Sequence, residues 1–123
     1  MQKLYFEPAW DKSIAPVDRE KIRQHFQTRH LESDIHLSFL WEAINHKGEQ
    51  LVTVLIHNPK DTPLLLQDTI ISYFKGNDRI TTGIFHLPLR IPEKSAMPWT
   101  FIFSPANQTT QTSQYTILQD NLL

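Results

Sequence analysis

The 123-residue sequence contains no cysteine. That excludes a disulfide framework, a thiol nucleophile and a thiolate-held metal. Glycine is nearly as scarce: Gly48, Gly76 and Gly83 stand far apart and are the only three. A phosphate-cradling loop needs clustered glycines so that backbone N–H groups can approach the ligand, so the common nucleotide-binding motifs are absent, as is a Gly-x-Ser-x-Gly nucleophile elbow. Charge of one sign is also missing. Twelve basic and thirteen acidic side chains leave a formal net charge of −1 with no block of either sign, and the basic stripe that captures nucleic acid is not there. No run approaches the ~18 apolar residues of a membrane span, and the opening residues lack the apolar core of a secretory signal. These absences predict a soluble cytoplasmic protein without a cofactor. Length predicts one domain over residues 1–123 with a single core.

What the chain does have is aromatic residues between prolines. In Met97-Pro98-Trp99-Thr100-Phe101-Ile102-Phe103-Ser104-Pro105, Trp99, Phe101 and Phe103 alternate with Thr100 and Ile102, a period of two that reads as a strand. Pro98 lacks an N–H and belongs at the strand's start or on an edge. Nothing in this stretch can serve as acid, base or metal ligand, which points to a chain that binds.

Residues 1–14 carry Leu4, Tyr5, Phe6, Trp10 and Ile14, too many apolar groups for a free tail, and read as an arm or short strand packed on the body. Residues 15–30 read as the one helix: Pro16 suits its first turn, Asp18 complements the dipole, and Arg29 and His30 stand at the far end. Val17, Ile22 and Phe26 give it a narrow apolar stripe. From Ile35 the pattern becomes that of strands. Ile35, Leu37, Phe39 and Trp41 alternate with His36, Ser38 and Leu40; Asn45-His46-Lys47-Gly48 supplies a turn; Leu51–Ile56 resumes as a hairpin partner stopped at Asn58-Pro59. Further strands are expected at 64–66, 69–75, 80–87, 89–91, 99–103 and 115–118, with a turn at Gly76-Asn77-Asp78 and an exposed loop over 106–114. Short strands with no alternating helices predict a mainly β fold, an immunoglobulin-like antiparallel β-sandwich over 35–118 with one N-terminal α-helix.

Candidate chemistry is thin. Six histidines (His25, His30, His36, His46, His57 and His86) lack the close pairing of zinc ligands. His25 and His30 are five apart, about 140° round a helix, and share no face. His36 and His46 could face one another across the hairpin, without an evident acidic partner. Among the dispersed acids, which include Asp11, Asp18, Glu20, Glu32, Asp34 and Glu49, Glu42 stands beside Trp41: buried, its pKa would rise; at a strand end it would form a salt bridge. No catalytic, cofactor-binding or metal residue is assigned. The aromatics remain. Both phases of 37–41 and 51–56 are apolar, so one phase builds the core. The other needs a cover, supplied by the helix and arm or by a partner. Trp10, Trp41 and Trp99 are the candidate partner-binding residues.

Several of these residues carry a resemblance. Phe6-x-x-x-Trp10-Asp11, Asp18-Arg19-Glu20-x-Ile22, Leu40-Trp41-x-Ala43-x-Asn45-x-x-Gly48, Leu51-Val52-Thr53-Val54-Leu55-Ile56-x-Asn58, Ile91-Pro92 and Met97-Pro98-Trp99-Thr100-Phe101-Ile102-Phe103 run through nearly the whole chain. The sequence resembles the SLAP domain of Bacillus-type Gram-positive bacteria, named for the accessory Sec system S-layer assembly protein. The resemblance implies a non-enzymatic cytoplasmic module that touches a secretion component, a cell-surface precursor or another such domain. Two other readings stand beside it. One is a carbohydrate- or small-ligand-binding sandwich with stacking tryptophans. The other is an enzyme built on Glu42 with His36 or His46.

Overall fold

The computed structural model describes residues 2–28, 34–105 and 113–119. A two-residue strand, β1 (Lys3–Leu4), precedes helices α1 (Pro8–Ser13) and α2 (Pro16–Thr28). Eight strands follow: β2 (His36–Ile44), β3 (Gln50–Asn58), β4 (Leu64–Leu65), β5 (Thr69–Lys75), β6 (Asp78–Phe85), β7 (Arg90–Ile91), β8 (Ser95–Phe103) and β9 (Tyr115–Gln119). The fold is mainly β. Seven strands form one sheet in the order β1-β8-β3-β2-β9-β5-β6, and β4 pairs with β7 in a small second sheet.

The turn residues act as their chemistry requires. Gly48 (φ 78°) and Gly76 (φ 58°) take left-handed backbone conformations in the β2–β3 and β5–β6 turns, where a Cβ would be strained. Asn45 Oδ1 accepts from the N–H groups of Lys47 and Glu49, both at 3.0 Å, and locks the first of these turns.

The large sheet curls so that its two halves enclose one core. Val52, Val54 and Ile56 of β3 and Met97, Phe101 and Phe103 of β8 meet Ile71 and Tyr73 of β5 and Ile117 of β9. Phe85 of β6 sets its ring edge-on to Phe101 and Phe103, with 4.9 Å between centroids in each pair, the geometry in which a ring's positive edge meets a negative face. The expected antiparallel arrangement is corrected at three places. β1 runs parallel to β8, and β9 runs parallel to both β2 and β5. By lying between β2 and β5, β9 joins the two halves into a single sheet.

The other face of β2, β3 and β8 also is apolar, and the N-terminal segment covers part of it. Ile22 of α2, Leu55 and Ala96 are buried there, with Leu4, Phe6, Trp10, Ile14, Phe26, Leu40 and Trp41 packed round them. The arm expected over 1–14 contains a second helix, so the expectation of one helix is corrected to two. The cause is local: Pro8 takes the first helical position, and the Glu7 carboxylate accepts from the N–H groups of Ala9 (3.0 Å) and Trp10 (3.3 Å), capping a helix too short to persist alone. Arg19 fastens α2 to α1 by an ion pair with Asp11 at 2.9 Å and lies 4.7 Å over the ring of Phe6.

Two details of the expected pattern are corrected. Val17 is not on the inward stripe of α2; it is 64 % exposed. Five residues separate it from Ile22, about 140° of helix, whereas Asp18 is four before Ile22 and lies within about 40° of it. Trp41 is not in phase with Leu37 and Phe39. Phe39 pairs with Val54 but Trp41 pairs with Thr53, so Leu40 is the extra residue of a β-bulge. Such a bulge shifts every later side chain to the opposite face, and Trp41 therefore joins the cluster under the helices. Arg29, His30 and Glu32 lie outside the described residues, as does most of the 106–114 loop.

Candidate functional site

The helices cover only part of the second face. Beyond them lies a groove of about 410 Å³ whose floor is Trp41, Thr53 and Thr100 and whose wall is Trp10 and Ile14 of the α1 region, with Asp18 at the start of α2. The hydroxyls of Thr53 and Thr100, paired across β3 and β8, share a hydrogen bond at 2.7 Å, one donating to the other across the floor. Trp10 and Trp41 are half-buried, as is Trp99. Trp99 shares the core face of β8 with Met97 and Phe101, yet its ring stacks on Trp10 at 6.5 Å with 26° between planes. Trp10 thus reaches from the groove to the core-side tryptophan. The Lys21 ammonium stands 5.9 Å over the Trp41 ring, a placement attractive to the ring's negative face. The tertiary fold brings Trp10 and Trp41 into one groove and places Trp99 behind Trp10.

A second cavity, of about 440 Å³, opens where β2 meets β9, between His25, His36 and Ser38 on one side and Gly76, Thr116 and Gln119 on the other. Ser38, buried on the second face of β2, lies 2.9 Å from Nε2 of His25 and 2.9 Å from Nε2 of His57. The rings of His36 and His57 are 5.9 Å apart. His36 therefore faces His57 and not His46. The turn occupies 45–49, which sets the hairpin register at His36↔His57 and leaves His46 exposed in the turn itself. Among the described residues, no group of three His, Asp or Glu side chains is placed to hold a metal ion.

Glu42 takes the salt-bridge alternative. Its carboxylate is 2.7 Å from Lys75 Nζ and accepts from Gln50 Nε2. Burial pushes its pKa up, but hydrogen bonds and charge from Lys75, with Tyr73 and Gln119, outweigh burial and hold it below the ordinary carboxylate range. The Tyr73 hydroxyl is buried without a well-formed hydrogen bond among the described residues. Burial first, and the nearby Glu42 charge second, raise its pKa well above that of a free phenol. By register Glu42 pairs with Val52 on the core face, while His36 pairs with His57 on the other. The strand separates the two groups that a catalytic pair would have to join.

The aromatic, half-covered groove takes Thr100 from β8, Thr53 from β3 and, through the bulge at Leu40, Trp41 from β2. The SLAP domain family model matches residues 4–119, from β1 to the last residue of β9. The chain belongs to the SLAP domain family. Among curated proteins nothing matches this SLAP domain, and no solved structure matches it. Among its described residues, no helix is long and apolar enough to cross a membrane.

Sequence reasoning missed three parts of these sites. Asp18, a complement to the helix dipole and one of the dispersed acids in the sequence, lines the groove, and its spacing of four from Ile22 is the legible signal of that place. The Ser38–His57 contact follows from hairpin register alone once the turn is placed. The meeting of Trp10 with Trp99 has no local signal, because eighty-eight intervening residues must fold before it exists.

Proposed function

We propose that this SLAP domain is a non-catalytic protein-interaction module, acting in the cytoplasm as an adaptor in accessory Sec export or in S-layer and cell-envelope assembly. The observation that carries the reading is the groove itself: two half-buried tryptophans, Trp10 and Trp41, over a floor whose two threonine hydroxyls bond to each other. Large amphipathic rings of this kind dominate binding energy at protein interfaces and offer wide contact area at small entropic cost. Family membership supports the module, and the resemblance to assembly proteins of the S-layer supports the setting. We read the two facing halves of the curled sheet as an immunoglobulin-like sandwich joined along β9, a frame that presents the groove rigidly.

The test is affinity capture from a Gram-positive host carrying an accessory Sec system, with the wild-type chain and with a Trp10→Ala, Trp41→Ala double variant. Recovery of an export component or a surface-protein precursor by the wild type, lost with the variant, is the expected result. Recovery of unrelated metabolic enzymes by both would refute it. A second reading, carbohydrate binding, draws on the same rings beside Ser13 and Asp18. It predicts that glycans move the tryptophan emission, and unmoved emission across a glycan panel would dismiss it.

A further inference from the structure

The groove abuts a strand edge that, beyond β1, pairs with no other strand among the described residues. The N–H groups of Lys3 and Tyr5 donate to Lys94 O and Ala96 O, both at 2.8 Å. Even-numbered residues of β8 therefore turn their backbone polar groups toward β1, and odd-numbered residues turn theirs toward β3. The register between β3 and β8 is unbroken from Ser95 to Phe103, so this alternation continues along the strand. β1 ends at Leu4 and pairs no further than Ala96. Thr100 and Ile102 consequently direct their N–H and C=O groups out of the sheet, with no strand partner among the described residues. The strand carries no charged residue from Ser95 to Pro105 and no bulge; Pro98 is the single blunting device on an edge of the kind that recruits another strand. Ile102 is 51 % exposed.

We propose that this edge and the groove together take a short extended peptide of a partner protein. Its backbone pairs with Thr100 and Ile102, an apolar side chain enters between Trp10 and Trp41, and a basic residue meets Asp18. This is strand addition with a side-chain pocket, and it rests on the interaction-module reading. Size and charge select this occupant. Four residues of edge, Thr100 to Phe103, span about 13 Å, and the groove of about 410 Å³ suits one or two side chains. Asp18 lines the groove without a cation in ion-pair range among the described residues, whereas its neighbours Asp11 and Glu20 are matched by Arg19 and Arg23.

The probe is an array of acetylated octapeptides with Leu, Phe or Ala at the fourth position and Lys, Ser or Glu at the sixth. Each is also made with N-methyl groups on one or the other alternate set of residues. Binding is read by peptide fluorescence anisotropy on the full chain. Leu and Phe peptides with Lys are expected to bind, and replacing Lys by Glu should weaken them about tenfold. N-methylation of one alternate set abolishes binding and of the other does not, the signature of a strand paired on one side. Asp18→Lys should reverse the charge preference. Ile102→Pro, which removes an outward N–H and none that faces β3, should abolish binding while circular dichroism stays unchanged. Binding indifferent to both N-methyl sets and to Ile102→Pro would overturn strand addition while leaving groove docking intact. Absence of binding by every peptide, with partner capture still lost in the Trp10→Ala, Trp41→Ala variant, would overturn the peptide proposal alone. Concentration-dependent dimers that Ile102→Pro dissolves would assign the edge to a second copy and overturn it as well.

Discussion

Ile22 is the one fully buried residue of α2, and its truncation measures how firmly the helix is held to the sheet. The Ile22→Ala substitution removes three carbons from a site closed by Leu55 and Ala96 below and by Phe6, Ile14 and Phe26 around. At about 0.8 kcal/mol per buried methylene the transfer loss is roughly 2.4 kcal/mol. The cavity left behind raises the total to about 3–4 kcal/mol, within the span known for buried Ile-to-Ala changes. For a chain of 123 residues, an unfolding entropy of about 2.1 cal/mol/K per residue turns 3 kcal/mol into a fall in Tm of about 12 °C. Urea titration followed by circular dichroism should show the lower midpoint with an unchanged slope, since the loss is of packing and not of the folded state's extent. Val17→Ala is the control: its side chain is largely in solvent, and a change within about 0.5 kcal/mol is expected. An Ile22→Ala loss below about 1 kcal/mol, or an equal loss in the control, would refute the assignment of Ile22 as the anchor. A reduced slope would show instead that α2 leaves the sheet before the core melts.

Three further outcomes follow from the geometry. Because folding lowers the pKa of Glu42, its contribution is present above the ordinary carboxylate value of about 4.3 and is lost as pH falls through the folded value; the stability gap between wild type and Glu42→Gln, measured by urea titration, should close in acid. Folding raises the pKa of Tyr73, so wild-type stability should fall as pH climbs past the ordinary phenol value of about 10. Tyr73→Phe should shrink that alkaline loss, leaving the part that comes from Tyr115, whose pKa burial also raises, while costing under about 1 kcal/mol at neutral pH, because the deleted hydroxyl has no well-formed hydrogen bond to lose. Gly76→Ala meets no atom within 4 Å of its new Cβ, so its cost, about 1–2 kcal/mol, should come from left-handed backbone alone; Gly76→Asn, which tolerates that conformation better, should recover part of it.

Local readings transferred well where the signal was local. The strand at Thr69–Lys75 and the turns at Gly48 and Gly76 depend on nearest neighbours and were legible from alternation and turn chemistry. Pro98 was expected at a strand's start or edge, and it lies inside β8, on the side that only β1 flanks, beyond that strand's last pairing at Ala96. The apolar second phase of Leu51–Ile56 was legible as a face in need of cover, and α2 supplies it over Leu55. The phase of Trp41 was not legible. A single extra residue at Leu40 moves it to the other face, and both registers leave an apolar pattern in the sequence.

By itself, then, the sequence determined the family, the mainly β character, the positions of most strands, and an aromatic content in excess of what one core face needs. Tertiary structure alone decided that β9 slides in parallel between β2 and β5, that His36 faces His57, and that Trp10 closes a groove over Trp41 while stacking on Trp99. The physical reason is range. Alternation, capping and turns are set by residues a few positions apart, whereas strand partners and groove walls are chosen by packing between segments that the chain separates by tens of residues.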